Sequence, residues 1–293
     1  MKKIILAVLV IASLSFASKQ EVTVSILPQK YFVEKIVGNK LNINVMVKAG
    51  FSPTTYEPKT SQMKKLANSK IYFAIDVPFE DVWLEKFRNS NKNMLIVDTA
   101  ENIDKLEMKE HSHHEEENTQ NHKKEESHHE HEGLDPHIWT DPILVKIQAK
   151  NILDALIKID SKNSDFYKSN YKNFIQELDV LNKKLEEILK PVEHKAFMVF
   201  HPSWGYFSKR YHLEQVAIET QGKEPKPSEL VELIKDAKEH NIKIVFVAPQ
   251  FSQKSARVIA KSIKGKVVTM DHLAINWDEN LIKTAEEIAN IYR

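Results

Sequence analysis

Three residues stand where metal chemistry would need them. His201 follows the β-prone run Ala196 to Phe200, and Asp271 follows Val267 to Met270. His137 lies in Leu134-Asp135-Pro136-His137-Ile138-Trp139-Thr140-Asp141-Pro142, flanked by prolines just ahead of a helical stretch. In open parallel α/β sheets ligands collect at the carboxyl ends of strands, so side chains directly after strands are the first to consider. Two imidazoles and a carboxylate suit zinc, a borderline-soft ion that takes nitrogen and oxygen ligands in tetrahedral sites. A lone histidine after a strand is more often a cap or a solvated group, and Asp271 alone could cap a turn. The trio together carries the reading. His194, His212 and His240 sit in polar helical surroundings and read as surface groups, while His272, next to Asp271, is not dismissed.

A second histidine signal has a different character. His111, His113, His114, His122, His128, His129 and His131 fall within residues 109–132, interleaved with Glu115, Glu116, Glu117, Glu125, Glu126 and Glu130. Apart from the histidines, that tract is almost entirely Glu, Lys, Ser, Asn and Gln, so it has nothing with which to build a core and is expected to be a disordered chelating loop. Imidazole suits zinc, copper, nickel and iron alike, so the tract implies a transition metal without selecting one.

The elements that must position these groups follow from periodicity. Short β-branched runs alternate with amphipathic stretches from Glu21 to Val97: strands at Val22–Leu27, Leu41–Val47, Ile71–Ile75 and Met94–Val97, helices at Gln29–Val37, Ser61–Asn68 and Phe79–Phe87. Long helices are expected over Pro142–Ile159 and Lys162–Leu189, stopping near Pro191. A second alternating block then places strands at Phe197–Phe200, Gln215–Ile218, Ile242–Val247 and Lys266–Met270. Its helices are expected at Ser203–Tyr211, Ser228–His240, Ser252–Ile263 and Glu279–Tyr292. Strands separated by helices imply βαβ units and parallel sheets. The fold expected is therefore α/β, with two lobes of parallel β-sheet flanked by helices and joined by a long rigid helix.

Residues 1–17 carry Lys2 and Lys3, an apolar run from Ile4 to Leu14, and Ser15-Phe16-Ala17, which reads as a secretory signal peptide cut after Ala17. The expected division is then residues 18–160 as a first α/β lobe that includes the loop 109–132, 161–191 as the linking helix, and 192–293 as a second α/β lobe. Lys plus Arg number 42 against 41 Asp plus Glu, so no global field points to nucleic acid. The chain has no cysteine, which excludes disulfides and the acylated cysteine of a lipoprotein, and a free periplasmic monomer is expected.

The chain resembles the zinc and manganese substrate-binding proteins of bacterial ABC importers. The markers are Gly50-Phe51-Ser52-Pro53-Thr54-Thr55-Tyr56-Glu57-Pro58, Asp135-Pro136-His137-Ile138-Trp139, His201-Pro202-Ser203-Trp204-Gly205-Tyr206-Phe207, Pro249-Gln250-Phe251 and Asp271, in that order. The resemblance implies capture of a metal ion in a cleft between two lobes and delivery to a permease in the inner membrane. It implies ligands at His137, His201 and Asp271. The family usually places a metal-binding histidine where this chain has Thr54, so a fourth ligand would be water, Glu57 or a loop histidine. The His-rich loop resembles that of zinc-specific members and favours Zn2+ over Mn2+, with a manganese-binding member as the alternative. From other classes, an exported zinc hydrolase, an adhesin or a metal-storage protein would also fit an exported metal binder. Neither a His-Glu-x-x-His helix nor a Gly-x-Ser-x-Gly elbow is present to supply a hydrolase, and no enzyme activity is expected.

Overall fold

The computed structural model describes residues 19–108, 133–219 and 223–292. The expected signal peptide and the seven histidines of the chelating tract lie outside the described residues.

Two parallel sheets of four strands form the frame. The first holds β1 (Glu21–Val24), β2 (Asn42–Val45), β3 (Ser69–Ala74) and β4 (Leu95–Asp98) in the order β2-β1-β3-β4. The second holds β5 (Ala196–Val199), β6 (Glu214–Ala217), β7 (Ile244–Val247) and β8 (Lys266–Thr269) in the order β6-β5-β7-β8. The two orders are the same, which gives the lobes a structural symmetry that no residue-level repeat reveals. Central strands β5 and β7 are buried along their whole length, as parallel strands covered on both faces must be, whereas edge strands β4 and β8 are buried at no position. In each lobe the strand order reverses between the two central strands, which opens a crevice at their carboxyl ends.

Around the first sheet lie α1 (Leu27–Val37), α2 (Thr60–Leu66) and α3 (Pro78–Ser90), followed by α4 (Pro142–Ile159). The connecting helix α5 (Ser164–Leu189) has 26 residues, a span of about 39 Å at 1.5 Å per residue. It starts after a 3-10 turn at Ser161–Asn163, so the α-helix begins two residues later than the periodicity suggests. The second lobe adds α6 (Gly205–Arg210), α7 (Pro227–Glu239), α8 (Lys254–Ser262) and α9 (Trp277–Tyr292).

The two lobes share a core. Period-2 alternation turns Phe197 and Val199 of β5, with Ile244 and Phe246 of β7, toward one continuous apolar cluster that runs through α5 and α9 into the first lobe. Ala196, Met198, Val245 and Val247 face the opposite side, where Leu233, Ala237, Ile259 and Ala260 of α7 and α8 cover them. Helix α9, within the range expected to be second lobe, packs on α5, and its Trp277 meets Phe32 of α1 edge-on at 5.0 Å. Swinging one lobe away from the other would expose this shared core to water, and its hydrophobic surface resists that motion.

One buried carboxylate shapes the first-lobe wall of the cleft. Glu80 in α3 is 1% exposed and accepts hydrogen bonds from Ser25 Oγ and from the backbone N–H of Ile75 and Asp76, the latter at 2.6 Å. This ties the carboxyl ends of β1 and β3 to the turn that presents Val77 and Pro78 and holds Asp76 at φ 65°. Burial pushes the Glu80 carboxyl up to about 7 from its ordinary 4.5, against the pull of those hydrogen bonds. A raised folded-state value means that this group's stabilisation is complete below 4.5 and is lost as pH rises through 7. Glu80→Gln keeps the shape and an acceptor without the charge. Urea unfolding at pH 4.5 and pH 8 should therefore show the variant gaining roughly 3 kcal/mol on the native protein between the two.

Candidate metal site

His137, His201 and His272 come together although they arise from three separate segments. Their ring centroids are 5.2 Å apart for His137 and His201, 5.3 Å for His137 and His272, and 6.1 Å for His201 and His272. All three line a cavity of about 40 Å³, walled by Pro53, Thr54, Val77, Met108, Trp139 and Phe251 among others. Imidazole nitrogens about 2.0 to 2.1 Å from one tetrahedral zinc would set the ring centroids roughly 5 Å apart. Two of the spacings already match, and the third needs a small approach of His201 and His272. Among the described residues no group of histidines and carboxylates is drawn tight enough to hold an ion without such an adjustment.

Two of the rings are oriented by buried carboxylates. Asp135 Oδ1 accepts from His137 Nδ1 at 2.7 Å and from the His137 backbone N–H at 2.9 Å. Glu219 Oε1 lies 2.5 Å from His201 Nδ1. A carboxylate on Nδ1 fixes the proton there and leaves the Nε2 lone pair free for a metal. Burial lowers His137 below the ordinary histidine value despite Asp135, and lowers His272 well below it, with His137 and His201 adding to the effect. Both are thus held neutral, the form a metal requires. His201 also stacks on Phe251 at 5.2 Å and 27°.

The Glu219 pairing follows from strand register. Ala196 pairs with Glu214 and Val199 with Ala217, and the same offset carries past the strand ends to set His201 beside Glu219. Sequence reading missed Glu219 because that offset is a tertiary property. For His272 the available signal was its position after β8, shared with its neighbour Asp271.

Asp271, expected to ligate, and Glu57, one of the candidates for a fourth ligand, do not line the cavity. Asp271 Oδ1 is occupied by the backbone N–H of Leu273 at 3.0 Å and by Gln250 Nε2 at 3.1 Å, the local Asx-type turn that a short carboxylate favours. Glu57 is exposed. Thr54 stands at the cavity wall, where its hydroxyl is a poor replacement for an imidazole. His194, His212 and His240 are exposed, as read from sequence.

The segment bearing His137 is clamped from both sides. Tyr206 Oη of α6 donates to Asp135 O at 2.8 Å and accepts from Leu106 N at 2.9 Å. Arg210 pairs with Asp141, whose other oxygen caps the first turn of α4 through Ile143 N. Trp139 Nε1 donates to His272 O at 2.8 Å, and Trp277 Nε1 donates to Trp139 O at 2.7 Å. Gly205 is required here, since a Cβ would come within 2.8 Å of Asp135 Oδ2.

This cleft belongs to a known architecture. The model of the ZnuA family, described as zinc-uptake complex component A, periplasmic, matches residues 22–290. The chain belongs to that family. It is similar to the high-affinity zinc uptake system protein ZnuA of Bacillus subtilis, with 29% identity over 263 residues covering 88% of this chain and 80% of that protein. It is also similar to the zinc-binding protein AdcA of Streptococcus pyogenes serotype M3, with 28% identity over 311 residues. All of this chain is covered in that match, but it spans only 60% of AdcA. A crystal structure of ZnuA superposes with a TM-score of 0.84 at 41% identity, covering 94% of this chain and 100% of that one. Family members are metal-binding components of transport systems, and no helix among the described residues is long and apolar enough to cross a membrane.

Tyr206→Phe tests the clamp. It leaves Asp135 O and Leu106 N without their shared partner, and urea unfolding should register a loss of about 1–3 kcal/mol.

Proposed function

We propose that this chain captures zinc outside the cytoplasm in the cleft between its lobes and passes it, as a monomer, to the permease of an ABC importer. The observation that carries this reading is the pairing of His137 with Asp135 and of His201 with Glu219. Two imidazoles, one ahead of α4 and the other after β5, are each oriented by a buried carboxylate toward one small cavity. Such carboxylate–histidine pairs set ring orientation and raise ligand basicity in zinc sites. Among the described residues no carboxylate lines the cavity, which favours a borderline-soft ion over manganese, an ion that prefers oxygen. Membership of the ZnuA family and similarity to proteins named for zinc uptake support the same cargo.

The tract at residues 109–132 is assigned an auxiliary role on its composition: many weak imidazole and carboxylate contacts raise the local zinc concentration ahead of transfer to the cleft. The shared core and the clamp on His137 support a cleft that is largely preformed, with loop adjustment rather than wide lobe closure on binding.

Competitive titration against a chelator, comparing zinc with manganese, tests the reading. The chain lacking residues 109–132 should keep one tight zinc site and bind manganese more weakly. His201→Ala should abolish that site, and Glu219→Ala should weaken it by about 10- to 100-fold. Loss of tight binding with the tract, combined with an innocuous His201→Ala in the full chain, would overturn the cleft assignment.

A further inference from the structure

His272 poses a problem that a structural role does not solve. It is 4% exposed, and its Nδ1 is buried with no hydrogen-bond partner among the described residues. Leaving a polar group buried and unpaired is destabilising, a penalty that an apolar side chain at the same place would avoid. The ring nevertheless lies within 5.3 Å of His137 and 6.1 Å of His201, centroid to centroid, and lines the same cavity. Its orientation is supported rather than accidental. Trp139 stacks on it at 6.2 Å and 25°, and its backbone carbonyl takes the Trp139 indole N–H. The turn that carries it is pinned through Asp271, whose side chain holds Leu273 N and Gln250 and whose carbonyl holds Asn280 Nδ2 at 2.8 Å.

We propose that His272 is the third zinc ligand, with the ion as the missing partner of its ring, and that Asp271 serves to shape the turn that presents it. This rests on the reading of the cleft as a zinc site. The consequence is a site of three imidazoles in which no carboxylate of the described residues touches the ion. The two positive charges of zinc are balanced across the rings by Asp135 and Glu219, hydrogen-bonded behind His137 and His201. Such a donor set compensates for Thr54, because the third imidazole arrives from the β8–α9 turn in place of the β2–α2 loop. It also defines specificity, since three nitrogen donors select zinc and its late-transition neighbours against manganese and magnesium.

Zinc affinity of the full chain, measured by chelator competition, separates the possibilities. His272→Ala should weaken binding at least about 100-fold, the upper end of what loss of a merely supporting group costs. Asp271→Asn, which keeps the Oδ1 acceptor for Leu273 and Gln250, should stay within roughly a factor of three. Wild-type affinity in His272→Ala, with binding lost in His137→Ala and His201→Ala, overturns the assignment of His272 alone. Unchanged binding in His137→Ala and His201→Ala overturns the zinc site itself. If His272→Ala fails to fold, the unmutated chain decides: with one equivalent of cadmium-113, a His272 ring nitrogen should show scalar coupling to the metal. Coupling confined to His137 and His201 rejects the proposal.

Discussion

The structure turns on how the segment from Asp135 to Asp141 is held. It leaves the first sheet, carries His137, and starts α4, yet its fixed points are in the other half of the molecule: the Tyr206 hydroxyl, the Arg210 guanidinium, the His272 carbonyl and the indole of Trp277. Each is a buried or half-buried polar contact whose loss would strand a partner away from water, so the segment has one low-energy position. That position places one imidazole at the junction of two lobes and makes the lobes' relative placement part of the site's geometry. Gly205 shows how tightly this is drawn, because even a methyl group there would collide with the carboxylate that orients His137.

Rigidity follows from the same arrangement on a larger scale. A binding protein with two independent cores can open widely about a hinge. Here the inner face of the second sheet, helices α5 and α9, and the first lobe bury their apolar side chains in one cluster, with Trp277, Phe32 and Phe174 at its centre. Metal can shift a conformational equilibrium only by its differential affinity for the two states. With the core shared, wide separation of the lobes would have to expose that cluster to water.

The electrostatics divide the labour between the shells around the cavity. The rings of His137 and His272 line the cavity, and burial keeps both neutral. Negative charge stands behind His137 on Asp135 and behind His201 on Glu219, and neither carboxylate lines the cavity. A nitrogen-rich lining of this kind is the donor set a borderline-soft ion prefers and a harder ion does not.

Much of this was legible along the chain. Period-2 and period-3.6 patterning located the eight described strands and most of the helices, because burial of one face leaves its mark on local sequence. It also placed His201 after a strand and His137 just ahead of a helix. Helix ends were less legible: α6 starts at Gly205 and α8 at Lys254, each two residues inside the expected span, since the preceding residues form turns. What the sequence determined by itself was the class of fold, the family, and the imidazole-rich chemistry. Tertiary structure alone decided which neighbour of a strand end faces the cavity. Asp271 and His272 are adjacent and follow the same strand, so no periodicity ranks them. The turn they share sends the short carboxylate back to its own backbone and the longer ring inward. Likewise Glu219 reaches His201 only through the register of β5 on β6, an alignment between distant segments that local pattern does not encode.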